Sequence, residues 1–195
     1  MNDTDDKVAL VDMDGTLCDF RGALDRDVAR VMNGRGAAVK VPACVVQEVE
    51  YLIRGQAGWY RNLKPLPLGF EIVRMLQEIG FRIMIMTKSS KESKNAWSEK
   101  VAWIAEHLPE ADVTVTQDKS LVYGRVLVDD YPSHFLKWME HRPRGIVVMP
   151  LQAWNKDTSK RPHLHTVASR DDLKVLRPVL EAAFERKGGE RGSSR

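Results

Sequence analysis

Residues 8–20 read VALVDMDGTLCDF, a short apolar run that ends in two aspartates one residue apart and turns at once through Gly15 and Thr16. In an extended strand alternate side chains leave on one face, so Asp12 and Asp14 emerge on the same side of the strand end. Two carboxylates in that small volume repel. At about 4 Å and an effective dielectric near 20 the cost is roughly 4 kcal/mol, which a cation or a proton must offset. A chain with this segment therefore needs a strand buried in an apolar layer and, at its carboxyl end, a place for compensating positive charge. Such a pair is ill suited to a core and well suited to a metal-assisted site.

Four further short apolar segments, residues 82–86, 113–116, 126–128 and 145–149, are bounded by polar or turn residues and are mostly rich in Val and Ile. They read as strands buried on both faces, hence as a parallel sheet. Between the second and third strands, residues 91–108 carry Trp97, Val101, Ile104 and Leu108 at spacings of three and four, the pattern of an amphipathic helix. Residues 70–79 and 132–140 give shorter helices, and 171–187 a last one starting near Ser169. Strands alternating with helices imply an α/β fold: a doubly wound, Rossmann-like parallel sheet with helices on both faces. In such sheets chemistry sits at the carboxyl ends of the strands. Asp12, Thr87, residues 117–119, Asp129 and Asp130 all fall at or just beyond such ends.

Residues 21–65 are too many for a simple connection. Residues 23–32 and 41–53 read as helices, broken by Gly34 and Gly36, and Pro65 and Pro67 mark the return. The expected organisation is an α/β core of residues 1–20 and 66–187 with a small helical cap, 21–65, inserted after the first strand. Residues 188–195, Gly/Ser-rich and charged, are expected to be disordered. Residues 150–164 read as loop, and His163-x-His165 as a surface loop rather than a metal site, since no Cys, Asp or Glu lies close in sequence.

The chain of 195 residues suits one domain with a modest insertion, and its 43% hydrophobic residues are enough for one core. A net charge of +3 is too weak an excess to argue for duplex nucleic acid, though it suits a small anionic substrate. Cys18 and Cys44 exclude a disulfide framework and a four-cysteine zinc site. The acidic N-terminus has no apolar signal core, and no run approaches the roughly 18 apolar residues of a membrane span. A cytoplasmic protein is expected.

The ordered set Asp12-Met13-Asp14-Gly15-Thr16, Thr87, Lys119 and Asp129-Asp130 resembles the four motifs of the haloacid dehalogenase superfamily. That resemblance implies Asp12 as a nucleophile that forms an aspartyl-phosphate and binds Mg²⁺. It makes Asp14 the proton carrier, with its backbone carbonyl on the metal, and Asp130 a further metal ligand. Thr87 and Lys119 hold the phosphate, and Asp129 supports Lys119 or the metal's water shell. A nucleophilic carboxylate needs such cations, because a phosphomonoester dianion repels it.

The stretches DMDGTLCDF, GWYRNLKPLPLGFEIVRML, SEKVAWIAEHL and VTVTQDKSLVYGRVLVDD are similar to the 5′(3′)-deoxyribonucleotidases. This similarity implies a deoxynucleoside monophosphate substrate, a base stacked on Phe20 and, as an assembly, a homodimer. Trp59 and Tyr60, near the exit of the insertion, read either as core packing or as substrate-binding residues that help close the pocket. One departure stands out: the family follows its second-motif hydroxyl with Ser-Pro, whereas Thr87 is followed by Lys88-Ser89-Ser90. Lys88 either replaces a neutral phosphate donor with a charge or points to solvent. Lys88, Lys91 and Lys94 read as a solvated helix face or, alternatively, as a guide for anions. The competing readings are a phosphatase of sugar phosphates or of nucleic-acid ends, and a non-catalytic module that binds a phosphorylated ligand or a protein.

Overall fold

Strand β1 (Val8–Val11) is buried along its whole length because it lies inside a sheet with an apolar layer on each side. The structure, a computed structural model, describes residues 7–32, 41–90 and 93–187. Gly34, Gly36, Lys91 and the 188–195 tail lie outside the described residues. Strands β2 (Arg82–Thr87), β3 (Asp112–Val115), β4 (Val126–Val128), β5 (Ile146–Pro150) and β6 (Leu164–Val167) join β1 in a six-stranded sheet. The order is β3-β2-β1-β4-β5-β6, and every neighbouring pair is parallel. The described residues also form helices α1 (Phe20–Met32), α2 (Ala43–Arg54), α3 (Pro67–Ile79), α4 (Ala96–His107), α5 (Pro132–Glu140) and α6 (Arg170–Glu185).

The period-two geometry of the strands sorts their side chains into two layers. Ala9, Val11, Val126, Val128 and Val148 pack with Leu76 of α3, Trp103 of α4 and Leu180 of α6. On the other face Leu10, Leu127 and Val147 meet Phe135 and Trp138 of α5. A strand covered on both sides has no solvent face on which to place polar residues, which is why β1, β4 and β5 are continuous apolar runs. Each fully buried large side chain contributes about 1.5–3 kcal/mol, so these layers dominate the stability of the sheet.

Two expectations fail at the sheet edges. The 150–164 segment does not lead straight to the last helix but into β6, whose Leu-His-Thr-Val sequence buries only Val167. An edge strand with one wet face lacks the apolar run that marks a central one. His165 is thus a strand residue paired with Val148, whereas His163 precedes the strand with φ 65°. β3, at the opposite edge, is likewise half exposed rather than buried on both faces.

Helix α4 begins at Ala96 and turns its apolar stripe one residue away from the expected phase. Ala96, Lys100, Trp103 and Ile104 are buried, while Trp97 and Val101 are exposed. A lysine therefore occupies a core position of this helix.

The insertion leaves and returns through a short neck. Asp19 N–H donates to Lys64 O at 2.9 Å, and Leu66 N–H to Leu17 O at 2.8 Å. Within it α1 and α2 pack together, and Arg21 of α1 reaches Asp25 at 2.7 Å and Glu50 of α2 at 3.3 Å. Glu99 of α4 accepts from the backbone of Gly58 at 2.6 Å and Tyr60 at 3.1 Å, which ties the return segment to the core.

Candidate active site

The turn after β1 places Asp12 at the floor of a cleft of about 640 Å³ at the carboxyl ends of the central strands. Its backbone N–H donates to Val128 O at 2.8 Å, which continues the β1–β4 ladder by one bond. Its carboxylate, 4% exposed as a residue, accepts from Met13 N–H at 2.7 Å. Lys119, from the 3₁₀ turn Lys119–Leu121, inserts between two carboxylates: Nζ lies 2.7 Å from Asp12 Oδ1 and 2.7 Å from Asp129 Oδ2. Asp129 Oδ1 accepts from Tyr131 N–H at 2.9 Å, and His134 Nδ1 stands 3.7 Å from that same oxygen. At that distance the imidazole is an electrostatic neighbour, not a hydrogen-bond donor.

Asp130 is fixed by a second set of contacts. Thr16 Oγ1 donates to Oδ1 at 3.2 Å and Trp154 Nε1 to Oδ2 at 2.9 Å. A Cβ at residue 15 would stand 2.5 Å from Asp130 Oδ2, and Gly15 has φ +76°, so only glycine lets the turn pass this closely. The loop after β5 clamps the arrangement: Gln152 Nε2 donates to Gly15 O at 2.7 Å and Asn155 Nδ2 to Asp130 O at 2.8 Å.

Asp14 is held by Lys100, the core lysine of α4. Lys100 Nζ donates to Asp14 Oδ2 at 2.5 Å, to Lys88 O at 2.6 Å and to Thr87 Oγ1 at 3.2 Å. At 2% exposure, this ammonium braces the β1 turn against the end of β2. Thr87 is wholly buried with its hydroxyl on Lys100, and it is not among the cleft-lining residues, whereas exposed Lys88 is.

The electrostatics leave the site short of positive charge. Burial, reinforced by the charges of Asp129 and Asp14 and opposed by Lys119, pushes Asp12 up to about 6. Burial with the Asp12 and Asp129 charges pushes Asp130 up to about 8. Burial alone would raise Asp129 too, but Lys119 and His134 outweigh it and hold it below the usual range. Lys119 itself sits above its ordinary value, because the two carboxylates overcome its own burial.

A divalent cation fits this imbalance, and the available donors are hard oxygens. Ligand atoms of Asp12, Asp129 and His134 come within 4.8 Å of one another. Lys119 already serves as the cation of that nook at 2.7 Å from both carboxylates. The set that the resemblance implies for a metal, the carboxylates of Asp12 and Asp130 with the Asp14 carbonyl, shares only Asp12 with that group.

Phe20 lines the cleft, with Arg21 and Asp25 beside it and Tyr131, His134 and Trp154 contributed by the core. Of the two readings of Trp59 and Tyr60, packing fits their place behind Phe20. Their rings meet edge to face with centroids 4.9 Å apart, and Phe20 lies 5.4 Å from Trp59 and 6.2 Å from Tyr60. Tyr60 is 2% exposed, and the Trp59 indole N–H is spent on Asp27 at 2.9 Å. Packing of the insertion onto the core uses these two rings, so they do not reach the cleft.

Solved structures share the fold. A candidate haloacid dehalogenase-like hydrolase from Burkholderia xenovorans LB400 superposes with a TM-score of 0.61 at 17% identity, over 89% of this chain and 97% of its own. Among curated proteins, a candidate 5′(3′)-deoxyribonucleotidase of Bordetella bronchiseptica is 31% identical over 168 residues, 80% of this chain and 89% of the relative. The human cytosolic-type 5′(3′)-deoxyribonucleotidase is 28% identical over 143 residues, 62% of this chain and 69% of the relative. The profile of the 5′ nucleotidase, deoxy (Pyrimidine), cytosolic type C protein family (NT5C) matches residues 6–176. The chain belongs to that family, and is a phosphoric monoester hydrolase.

Proposed function

We propose that the protein is a Mg²⁺-dependent 5′(3′)-deoxyribonucleotidase that dephosphorylates deoxynucleoside monophosphates through an aspartyl-phosphate on Asp12. The observation that carries this reading is the pairing of a buried, Lys119-bound Asp12 with a second carboxylate, Asp14, in one cleft that also exposes aromatic rings. Asp12 and Asp130, with the Asp14 carbonyl, would hold Mg²⁺. When bound, the ion neutralises phosphoryl oxygens and lowers the repulsion between the substrate and an anionic nucleophile.

Asp12 Oδ attacks phosphorus, the bond to the leaving oxygen breaks, and the protonated Asp14 carboxyl gives that oxygen its proton. Water then attacks the acyl phosphate, passes its proton back to Asp14, and releases phosphate with Asp12 restored. Lys119 stays within reach of both Asp12 and the transferred group. Lys88 supplies the phosphate contact at the end of β2 that a neutral side chain provides in the family, a role supported by its place on the cleft wall. The helical insertion acts as a cap that excludes water from the reacting centre. A cytoplasmic location and a homodimer complete the reading. The homodimer comes from the resemblance and the location from the sequence, the latter supported by the cytosolic-type human relative.

The test is turnover of a panel of deoxy- and ribonucleoside monophosphates, sugar phosphates and phosphorylated oligonucleotides, with and without Mg²⁺. Hydrolysis confined to sugar phosphates, or none on any substrate, would defeat the proposal.

Two further outcomes are expected. Lys100→Met removes the brace on Asp14, and misplacing a reacting group by about 1 Å costs on the order of a hundredfold. Steady-state kinetics should show kcat lowered by about that factor with KM changed far less. Mg²⁺ should also raise the melting temperature more at pH 8 than at pH 5.5. Asp12 and Asp130 bind protons more tightly folded than at the ordinary aspartate value of 3.8, so the stability they lend is full below that pH. It is lost as pH rises through about 6 and about 8, and a bound cation recovers it. Equal Mg²⁺ shifts at the two pH values would count against metal binding by these carboxylates.

A further inference from the structure

The indole of Trp154 is anchored at its polar edge in a residue that stays partly exposed. Its N–H donates to Asp130 Oδ2 at 2.9 Å, yet the residue is 42% exposed and its ring lines the cleft. The loop that carries it is fastened to the floor of the site. Gln152 holds Gly15 O at 2.7 Å, and Asn155, 1% exposed, holds Asp130 O at 2.8 Å and Pro150 O at 2.9 Å. The ring therefore does not drift with a surface loop. Its position is set relative to Asp130 and, through Gly15, to the turn that carries Asp12 and Asp14.

A planar apolar face adds little to the binding of a small hydroxylated leaving group, whereas an aromatic ring stacks on it whatever its hydrogen-bonding pattern. A face fixed before binding also costs less ordering when the ligand arrives. Trp59 and Tyr60 cannot serve, being packed behind Phe20. We propose that Trp154 is a specificity-determining residue: its ring is a platform on which the base of the substrate stacks, registered to the reacting centre by the hydrogen bond to Asp130. This rests on the phosphomonoesterase reading above and adds which chain segment selects a nucleoside over a bare sugar, namely the loop after β5.

The test compares deoxyuridine 5′-monophosphate with 2-deoxyribose 5-phosphate, the same sugar phosphate without a base. Trp154→Leu is expected to raise KM for the nucleotide about tenfold more than for the sugar phosphate, the lower part of the range for loss of a base–aromatic stack. Trp154→Phe lacks the indole N–H as Leu does but keeps a ring, and should recover most of the nucleotide preference. Any effect transmitted through Asp130 is lost equally in both variants, so the difference between Phe and Leu isolates the face. Independently of any variant, free deoxyuridine should compete with substrate in the wild type where free deoxyribose does not. Equal KM shifts for the two substrates, Phe no better than Leu, or no competition by deoxyuridine would overturn the proposal and leave the phosphatase reading standing. A wild type that hydrolyses neither substrate removes the phosphatase reading, and this proposal with it.

Discussion

Asp12→Asn is expected to lower kcat at least about a thousandfold while the protein stays folded. The substitution keeps the shape of the side chain and removes the nucleophilic oxygen, and the neighbouring carboxylates have partners of their own, Asp14 being held by Lys100. Asp129 is wholly buried and held by Lys119, and Asp130 is tied by Thr16 and Trp154. The stability change is the difference of two opposed effects. Losing the ionised carboxylate relieves the burial that pushes Asp12 up to about 6. It also leaves Lys119 with one anion in place of two. Melting temperature should thus move little near neutral pH although turnover disappears. The checks are steady-state kinetics beside thermal melts, and trapping of the phosphoenzyme, which should label the wild type and not the variant. Wild-type turnover in Asp12→Asn would remove Asp12 from the mechanism.

The residues at the strand ends could be read from the chain because a single local rule exposes them. A buried strand is a short apolar run, its carboxyl end is the first polar residue after that run, and Asp12 and Asp129 stand at such places, with Asp130 one residue further and Lys119 four residues past β3 in a 3₁₀ turn. Lys100 escapes that rule. It sits inside α4 on the stripe Ala96-Lys100-Trp103-Ile104, but Trp97 and Val101 offer an equally regular stripe one residue over. Periodicity alone does not choose between them. The signal available was a charged residue in register with Trp103, which would have to be paired if buried. Trp154, Gln152 and Asn155 carry no period at all, since their roles arise from a loop folded back onto Gly15 and Asp130. Trp59 and Tyr60 left two readings open for the opposite reason. Closeness in sequence to the end of the insertion suggested the cleft, while the packing of three rings drew both side chains into the seam with the core. Strand β6 was hidden because an edge strand need not be apolar.

Lys119→Met is expected to destabilise the fold by about 3–5 kcal/mol near pH 8, the usual cost of stranding buried charge when one partner of a pair is removed. Its ammonium is 2.7 Å from both Asp12 and Asp129, which are 4% and 0% exposed. The pH dependence separates lost charge from lost packing. Asp129 is held below its ordinary value, so its pairing contributes stability that is present above pH 3.8 and lost as pH falls through its lower folded value. Lys119 is shifted upward from 10.5 and stays charged throughout the range of interest, so the carboxylates set the window. Without Lys119, both Asp12 and Asp129 can relieve the strain by taking up protons, and they do so more readily as pH falls. Denaturant melts should therefore show a deficit that is large at pH 8 and much smaller near pH 4.5. A deficit of equal size at both would mean that the lysine stem fills space and the charge contributes nothing. Turnover should fall with stability at pH 8 but should not return at pH 4.5, because regained stability does not restore the cation that Asp12 and the phosphoryl group share in the proposed reaction.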